Sequence, residues 1–202
     1  MATNNVVRLY TRNWKTLALL ALIGTLLALG FSFAQTWRYS STVRVLIIQT
    51  NATGLDPYTA IKSTERIAQN LSEIIYTSSF FNSVVAQGKI DSSYFPSDEI
   101  KKRKKWKDAI ETIITPNTGV VSIVAYHPNR DQATELAVDV AKQLQEVVPN
   151  YFGYSVRVQI IDDPLPSGFF AKPDLTRNLP VGAVVGFLLG SVWVLGRPRR
   201  VE

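Results

Sequence analysis

The sequence predicts an α+β domain, with one mainly antiparallel sheet and helices, flanked by two transmembrane helices. Two uncharged apolar runs, Thr16 to Trp37 and Asn178 to Gly196, predict the flanking helices. A bilayer core of about 30 Å takes about 20 helical residues, so each run is long enough to cross it once. Between the runs, strand and helix patterns alternate without an internal repeat, which predicts one domain of about 140 residues.

Basic residues on the outer side of each run predict the topology. They are Arg8, Arg12 and Lys15 before the first run, and Arg197, Arg199 and Arg200 after the second. Short basic flanks stay in the cytoplasm, so residues 1–15 and 197–202 are predicted to be cytoplasmic and the domain between the runs extracytoplasmic. Residues 38–178 hold 16 Lys and Arg against 15 Asp and Glu, a net charge of +1. The high pI therefore indicates topology rather than a nucleic-acid partner.

The first run has an alternative interpretation as a secretory signal peptide. Ser32 and Ala34 place small residues at the −3 and −1 positions before Gln35. Against cleavage, the run is longer than the usual signal core of about 7 to 15 residues. Trp14 and Trp37 also bracket it as interfacial anchors do. We therefore predict a retained transmembrane helix over residues 16–37 and a second one over residues 179–196.

Three glycines in the second run predict a helix-packing face. Gly182, Gly186 and Gly190 follow one another at four-residue spacing. This spacing removes side chains from one face of a helix and lets another helix approach closely. Glycine is also common in transmembrane helices in general, so a neutral interpretation stays open. We predict that this face supports oligomerisation.

The first half of the domain predicts a strand followed by helices. Residues 41–50 are rich in β-branched side chains and predict a strand that ends in a turn at residues 51–54. Asp56 and Pro57 supply an N-cap and a first-turn proline for a long helix. This helix is predicted to be interrupted near residues 77–79 and to resume as far as Gly88.

The middle of the domain predicts a short helix and a hairpin. Ser97, followed by two acidic residues, predicts an N-cap. Residues 109–115 and 119–126 predict two strands, and the turn residues 116–118 between them predict a β-hairpin.

The last part of the domain predicts one helix and one strand. Asn129, with Gln132 three residues later, forms a capping-box pattern at the start of an amphipathic helix. Pro149 is predicted to end that helix. Residues 156–161 then predict the last strand, which Asp162 and Asp163 end.

Three segments carry a resemblance to a known family. They are Arg12-Asn13-Trp14-Lys15 before the first run, the stretch YHPNRDQA from Tyr126 to Ala133, and a third segment. In the third segment, residues 158–161 and then Asp162-Asp163-Pro164-Leu165-Pro166 lead through Pro173 and Pro180 into the glycine-spaced run. In that order and spacing the chain resembles the chain-length determinant (Wzz-type) family of bacterial polysaccharide co-polymerases. It resembles the short form that lacks a fused kinase domain.

The resemblance implies a non-catalytic protein of the cytoplasmic (inner) membrane that assembles into a homo-oligomeric ring. Such a protein helps to set the chain length of a surface polysaccharide, which is O-antigen, capsule or exopolysaccharide. Its implied partners are a polysaccharide polymerase or the glycan, and membrane lipid. Two departures qualify this: the chain has no room for the helical projection of longer relatives, and its tail at residues 197–202 is shorter than in relatives that activate a separate tyrosine kinase.

Two alternative functions stay open. A membrane adaptor that modulates a separate cytoplasmic tyrosine kinase is the first. A structural envelope protein without a glycan role is the second.

The prolines that carry part of the resemblance also have a physical role. Pro164, Pro166, Pro173 and Pro180 deny regular structure to much of the stretch, which predicts an extended strap over residues 164–178 after a domain at residues 38–163. An ordinary proline-rich linker is the alternative.

The sequence predicts no catalytic, cofactor or metal site. His127 is the only histidine, and Pro128 after it favours a turn residue over a base. The chain has no cysteine and no cluster with metal-ligand spacing. Gly88-Lys89-Ile90 lacks the spacing and the hydroxyl residue of a P-loop. Asp162-Asp163 is the only pair of adjacent aspartates between the two runs, and Pro164 after it favours a strand end over a metal or acid/base site.

Six cations form the one dense charge cluster of the domain. They are Lys101, Lys102, Arg103, Lys104, Lys105 and Lys107. A solvated helix face is the neutral interpretation, and contact with anionic lipid headgroups or an anionic glycan is the alternative. Nucleic acid is disfavoured, because the segment is predicted to lie outside the cell and only Trp106 offers a stacking surface.

Overall fold

The computed structural model describes residues 8–50, 56–87 and 90–196. The chain forms two compact units, which we call the helix pair (up to Thr36 and from Lys172) and the sheet unit (residues 37–171). The predicted turn at residues 51–54, the predicted helix end at Gly88 and the basic tail from Arg197 lie outside the described residues.

The elements are numbered in chain order. The main helices are α1 (Trp14–Phe33), α2 (Pro57–Ile75), α3 (Ser78–Val85), α4 (Glu99–Ala109), α5 (Arg130–Phe152) and α6 (Leu175–Gly196). The strands are β1 (Tyr39–Gln49), β2 (Ile110–Ile114), β3 (Val120–His127) and β4 (Val156–Pro166).

The helix pair consists of α1 and α6, and both are long and apolar enough to cross a membrane. Helix α1 ends at Phe33, so Trp37 is not part of it and lies in the sheet unit. Helix α6 begins at Leu175, earlier than predicted, because the Asp174 side chain accepts a hydrogen bond from the Arg177 amide. Pro180 therefore lies inside α6, where its missing N–H removes one backbone hydrogen bond from the first turns of the helix.

The sheet unit contains a four-stranded sheet in the order β2-β3-β1-β4. Each strand is antiparallel to its neighbours, which confirms the predicted α+β class with an antiparallel sheet. Strand β1 is central, and its buried residues Val43, Val45 and Ile47 alternate with more exposed ones. One face of the sheet is therefore covered by the helices, and the buried core includes Leu71, Ile75, Trp106, Ile123, Leu136 and Leu144.

Local capping signals position the helices. The Asp56 carboxylate accepts hydrogen bonds from the amides of residues 58 and 59, and Pro57 is the first residue of α2, as predicted. Thr77 caps α3, which confirms the interruption and resumption after α2. Asn129 caps α5, again as predicted. Ser97 was the wrong cap for α4, because the Asp98 carboxylate accepts the bond from the Lys101 amide.

Pro149 does not end α5, which continues to Phe152. A proline in the last turn removes one N–H donor from the helix, and here that loss does not break it. The helix ends at Gly153, which has a φ of 61° that L side chains rarely adopt.

The last strand is longer than predicted and includes part of the predicted strap. Strand β4 runs past Asp162 and Asp163 to Pro166, which pairs with Ser41. Pro164 and Pro166 fit because β4 is an edge strand and its pairing with β1 shifts register near Arg44. The segment between β4 and α6 is thus limited to residues 167–174, in which Pro173 is the one strap proline.

Candidate functional site

The glycine face of α6 packs against α1 of the same chain. A Cβ atom at Gly186 would meet the backbone oxygen of Leu20 and would lie 3.0 Å from the Cα of Ala21. A Cβ atom at Gly182 would lie 2.5 Å from the Cβ of Ala28. Gly24 of α1 faces the backbone of Gly182 in return. The two backbones approach so closely only because both helices carry glycine at the crossing.

Gly190 extends this contact along the helix pair, where a Cβ would lie 3.3 Å from side-chain atoms of Leu17 and Leu20. At the other end, the Nδ2 group of Asn178 donates a hydrogen bond to the Ser32 hydroxyl at 3.0 Å. The face on which we predicted oligomerisation is thus occupied within the chain.

The predicted basic patch lies on α4, and its six cations are not equivalent. The Lys102 ammonium is 2.6 Å from a Glu99 carboxylate oxygen and also lies over the ring of Phe81. Arg103 donates to the other oxygen of Glu99 at 3.1 Å. The Lys105 ammonium is 4.1 Å from the centre of the Tyr94 ring.

These contacts have an electrostatic consequence at the start of α4. Hydrogen bonds from Lys102, Ser78 and Arg103 lower the pKa of Glu99 to about 2. The Glu99 carboxylate therefore stays charged at neutral pH and balances part of the patch. The cations that remain exposed without such a contact are Lys101, Lys104 and Lys107.

Trp106 does not offer a stacking surface. Its side chain is 1% exposed, and its indole N–H donates to the Ile75 carbonyl at 2.7 Å. The ring also makes an edge contact with Phe81, at 5.1 Å between ring centres. Trp106 therefore anchors α4 to the core and is not part of the cationic surface.

A second feature of the sheet unit was missed from the sequence. The ring of Phe170 packs on Trp37, at 5.3 Å between centres, and on Tyr39, at 4.5 Å. The backbone amide of Ala171 donates to the Arg38 carbonyl at 2.8 Å. We call these four residues with Arg38 the aromatic clasp. The available signal is the aromatic pair Trp37 and Tyr39 at the end of the first run, and Phe170 eight residues before the second.

Residues 5–87 match the family model described as Wzz, chain length determinant protein. Over this part of its length, the chain is similar to the chain-length determinant family. The predicted resemblance to the chain-length determinant family is thereby confirmed over these residues. No curated protein matches the chain.

The Wzz match covers α1, β1, α2 and α3, which include the first candidate span and the central strand of the sheet. At the family level it supports a role in polysaccharide chain-length determination. Chain-length regulators of this family are non-catalytic co-polymerases. The basic patch, the glycines of α6 and the four strap prolines from Pro164 to Pro180 lie outside the match.

His127 lies at the end of β3 and is buried. Its Nδ1 atom accepts a hydrogen bond from the Asn129 amide, and its ring lies 4.2 Å from that of Tyr94 between centres. Burial lowers the pKa of His127. The side chain thus stabilises the turn into α5 and is not directed at an open site.

The carboxylate pair Asp162-Asp163 lies on the edge strand β4. Asp162 is 3.7 Å from the guanidinium of Arg44 on the neighbouring strand, and both side chains are largely exposed. Within residues 8–50, 56–87 and 90–196, no group of three or more His, Cys, Asp and Glu is placed to hold a metal ion.

Proposed function

We propose that this chain is a membrane-anchored polysaccharide co-polymerase that regulates the chain length of a surface polysaccharide by oligomeric assembly. The observation that carries the proposal is the Wzz match across the first apolar helix and the start of the sheet unit. Two helices suited to a membrane, with an α+β unit between them in the chain, fit the same role. The function is one of binding and assembly rather than catalysis.

Assembly between copies would use surfaces other than the glycine face of α6, because α1 covers that face in the same chain. The exposed cations of α4 are one surface suited to a partner. Binding of Lys101, Lys104 and Lys107 to an anionic glycan or lipid surface is favoured, because it releases the counterions of that surface.

We expect deletion of the gene to alter the length distribution of the surface glycan, and the wild-type chain to restore it. Gel profiles of the glycan at matched expression measure this. An unchanged glycan profile in the deletion strain would contradict the proposal and favour a structural envelope role.

Replacing Lys101, Lys104 and Lys107 with glutamine in that strain tests the basic patch. We expect a shifted or broader glycan length distribution, because the patch loses its three freely exposed charges. The matched control replaces the exposed cations Arg66, Arg130 and Lys142 of α2 and α5 with glutamine, which removes the same charge elsewhere. Equal profiles for the two triple variants would show that α4 presents only a solvated face.

The basic flanks support the proposed topology, and introduced cysteines can test it because the chain has none of its own. We expect a Lys104→Cys variant to react with a membrane-impermeant maleimide in intact cells. An Arg12→Cys variant should react only after the membrane is permeabilised. Protection of the cysteine at position 104 in intact cells would refute an extracytoplasmic sheet unit.

A further inference from the structure

The sheet unit exposes apolar side chains next to its aromatic clasp. Phe169 is 88% exposed, the most of any large hydrophobic residue among those the structure describes, and Leu165 is 74% exposed. Phe170, the next residue, is held by Trp37 and Tyr39 instead. Of two adjacent phenylalanines, one therefore packs on aromatic neighbours and the other faces solvent.

This segment is held in place by hydrogen bonds. The Ser167 amide donates to the Ser40 carbonyl at 2.7 Å, and the Ser40 amide donates to the Ser167 hydroxyl at 3.0 Å. On the other side of Phe169, the Ala171 amide donates to the Arg38 carbonyl at 2.8 Å. With both flanks fixed, the exposure of Phe169 is a feature of the folded unit.

In the sequence, the aromatic residues of this region lie within a few residues of the ends of the two candidate spans. Phe169 comes six residues before Leu175, the first residue of α6, and Arg38 comes five residues after Phe33, the last of α1. Arg38 and Lys172 flank the aromatic residues in the sequence. Aromatic rings next to Lys and Arg at the ends of spans are typical of the membrane interface, where the ring sits at the headgroup level.

A second copy of the chain is a less suitable partner for this patch. A stable protein interface buries about 800 Å² on each side, with packed anchors surrounded by a rim. Leu165 projects instead from the end of β4, and Phe169 projects from the short segment after it. Asp162 and Asp163 lie on β4 just before Leu165. A lipid surface needs no complementary shape and accepts isolated apolar side chains.

We propose that Leu165 and Phe169 insert into the headgroup region of the phospholipid bilayer that α1 and α6 cross. This inference depends on the proposed function only in taking α1 and α6 to span a membrane. The partner is the phospholipid interface itself. The insertion gives the sheet unit a third attachment besides its two chain connections.

The test uses the full-length protein with single cysteines labelled by an environment-sensitive fluorophore. Leu165→Cys and Phe169→Cys report on the patch. The control for a solvent-facing label is Tyr58→Cys on α2, where the native side chain is 71% exposed. The control for a label in the bilayer is Leu27→Cys on α1, where the native side chain is 70% exposed. Each variant is reconstituted in vesicles of phosphatidylethanolamine and phosphatidylglycerol, with or without a lipid that carries a shallow nitroxide quencher.

We expect the labels at positions 165 and 169 to emit at shorter wavelength than the label at position 58 and to lose most of their emission with the shallow quencher. The label at position 27 should also be quenched, and the label at position 58 should not. If the label at position 169 behaves like the one at position 58 while the label at position 27 is quenched, the inference fails and the membrane anchor stands.

Two other outcomes also decide the question. Short-wavelength emission at position 169 without quenching would mean that protein covers the patch, which contradicts insertion into lipid. An unquenched label at position 27 would remove the membrane anchor from the proposed function, and the inference would fall with it.

Discussion

Replacing Gly186 with leucine will force α6 away from α1. Even a Cβ atom at this position meets the backbone of Leu20 and comes within 3.0 Å of Ala21, and a backbone cannot move aside as a flexible side chain can. By analogy with overpacked cores, the cost is about 1 to 3 kcal/mol. The Ser32 and Asn178 side chains, which are hydrogen-bonded at 3.0 Å, provide the measurement. Cysteines at these two positions should cross-link readily in the otherwise wild-type chain and much more slowly with Gly186→Leu.

A matched pair of alanine variants in α1 separates the effect of contact from the effect of composition. Gly24→Ala adds a methyl group against the Gly182 carbonyl, whereas Gly30→Ala adds one where no atom lies within 4 Å. We expect Gly24→Ala to slow the cross-linking and Gly30→Ala to leave it unchanged. Equal rates for the two alanine variants would contradict a glycine-dependent approach of the helices.

Replacing Trp106 with alanine will destabilise the sheet unit more than any other single change we consider. The side chain is 1% exposed and fills the space between α4, Phe81 and Phe95. Loss of a buried tryptophan costs about 3 to 5 kcal/mol, which is a large part of the stability of a typical domain. The midpoint of urea unfolding of the full chain in detergent, followed by circular dichroism, measures the change.

Two further variants identify the origin of that loss. Trp106→Phe keeps much of the apolar volume but leaves the buried Ile75 carbonyl without its indole donor, at a cost of about 1 to 3 kcal/mol. Lys104→Ala, on an exposed position of the same helix, should change the free energy of unfolding by less than about 0.5 kcal/mol. A Trp106→Ala midpoint close to that of Lys104→Ala would show that α4 is not anchored by the indole.

The sequence was most informative where a structure depends on neighbouring residues alone. Asp56 and Asn129 each bond amides two and three residues ahead, so the cap and the helix it starts lie in the same short stretch. The cap of α4 was misplaced by one residue, because Ser97 and Asp98 are both good capping residues and the choice depends on geometry.

The prolines were misleading because their effect depends on position in the tertiary structure. Pro164 and Pro166 would disrupt a central strand, but β4 is at the edge of the sheet. Pro149 falls in the last turn of its helix, where one lost hydrogen bond does not end it. Neither the strand order nor the true helix end can be read from the residues next to each proline.

The partner of a surface was also beyond the sequence. Four-residue glycine spacing predicts a close helix approach but does not say which helix approaches, and here the complementary residue is Gly24 in α1. In the same way, charge alone gave six equal cations on α4, whereas Glu99 and Tyr94 engage three of them. The separations of Gly24 from Gly182 and of Tyr94 from Lys105 carry no signal in the sequence, whereas Glu99 precedes Lys102 and Arg103 by the three and four residues that predict ion pairs on a helix.

The pairing of β1 with β4 sets the order of events during synthesis. Strand β1 lies in the middle of the sheet, yet its neighbour on one side begins only at Val156, more than a hundred residues later. At about 5 to 20 residues per second, the ribosome needs roughly 5 to 20 s to cover that interval. Until then one edge of β1 is open to strands from other chains. The sheet is thus completed just before α6 is made, and a chain interrupted earlier would leave the backbone groups of this edge of β1 unpaired by β4.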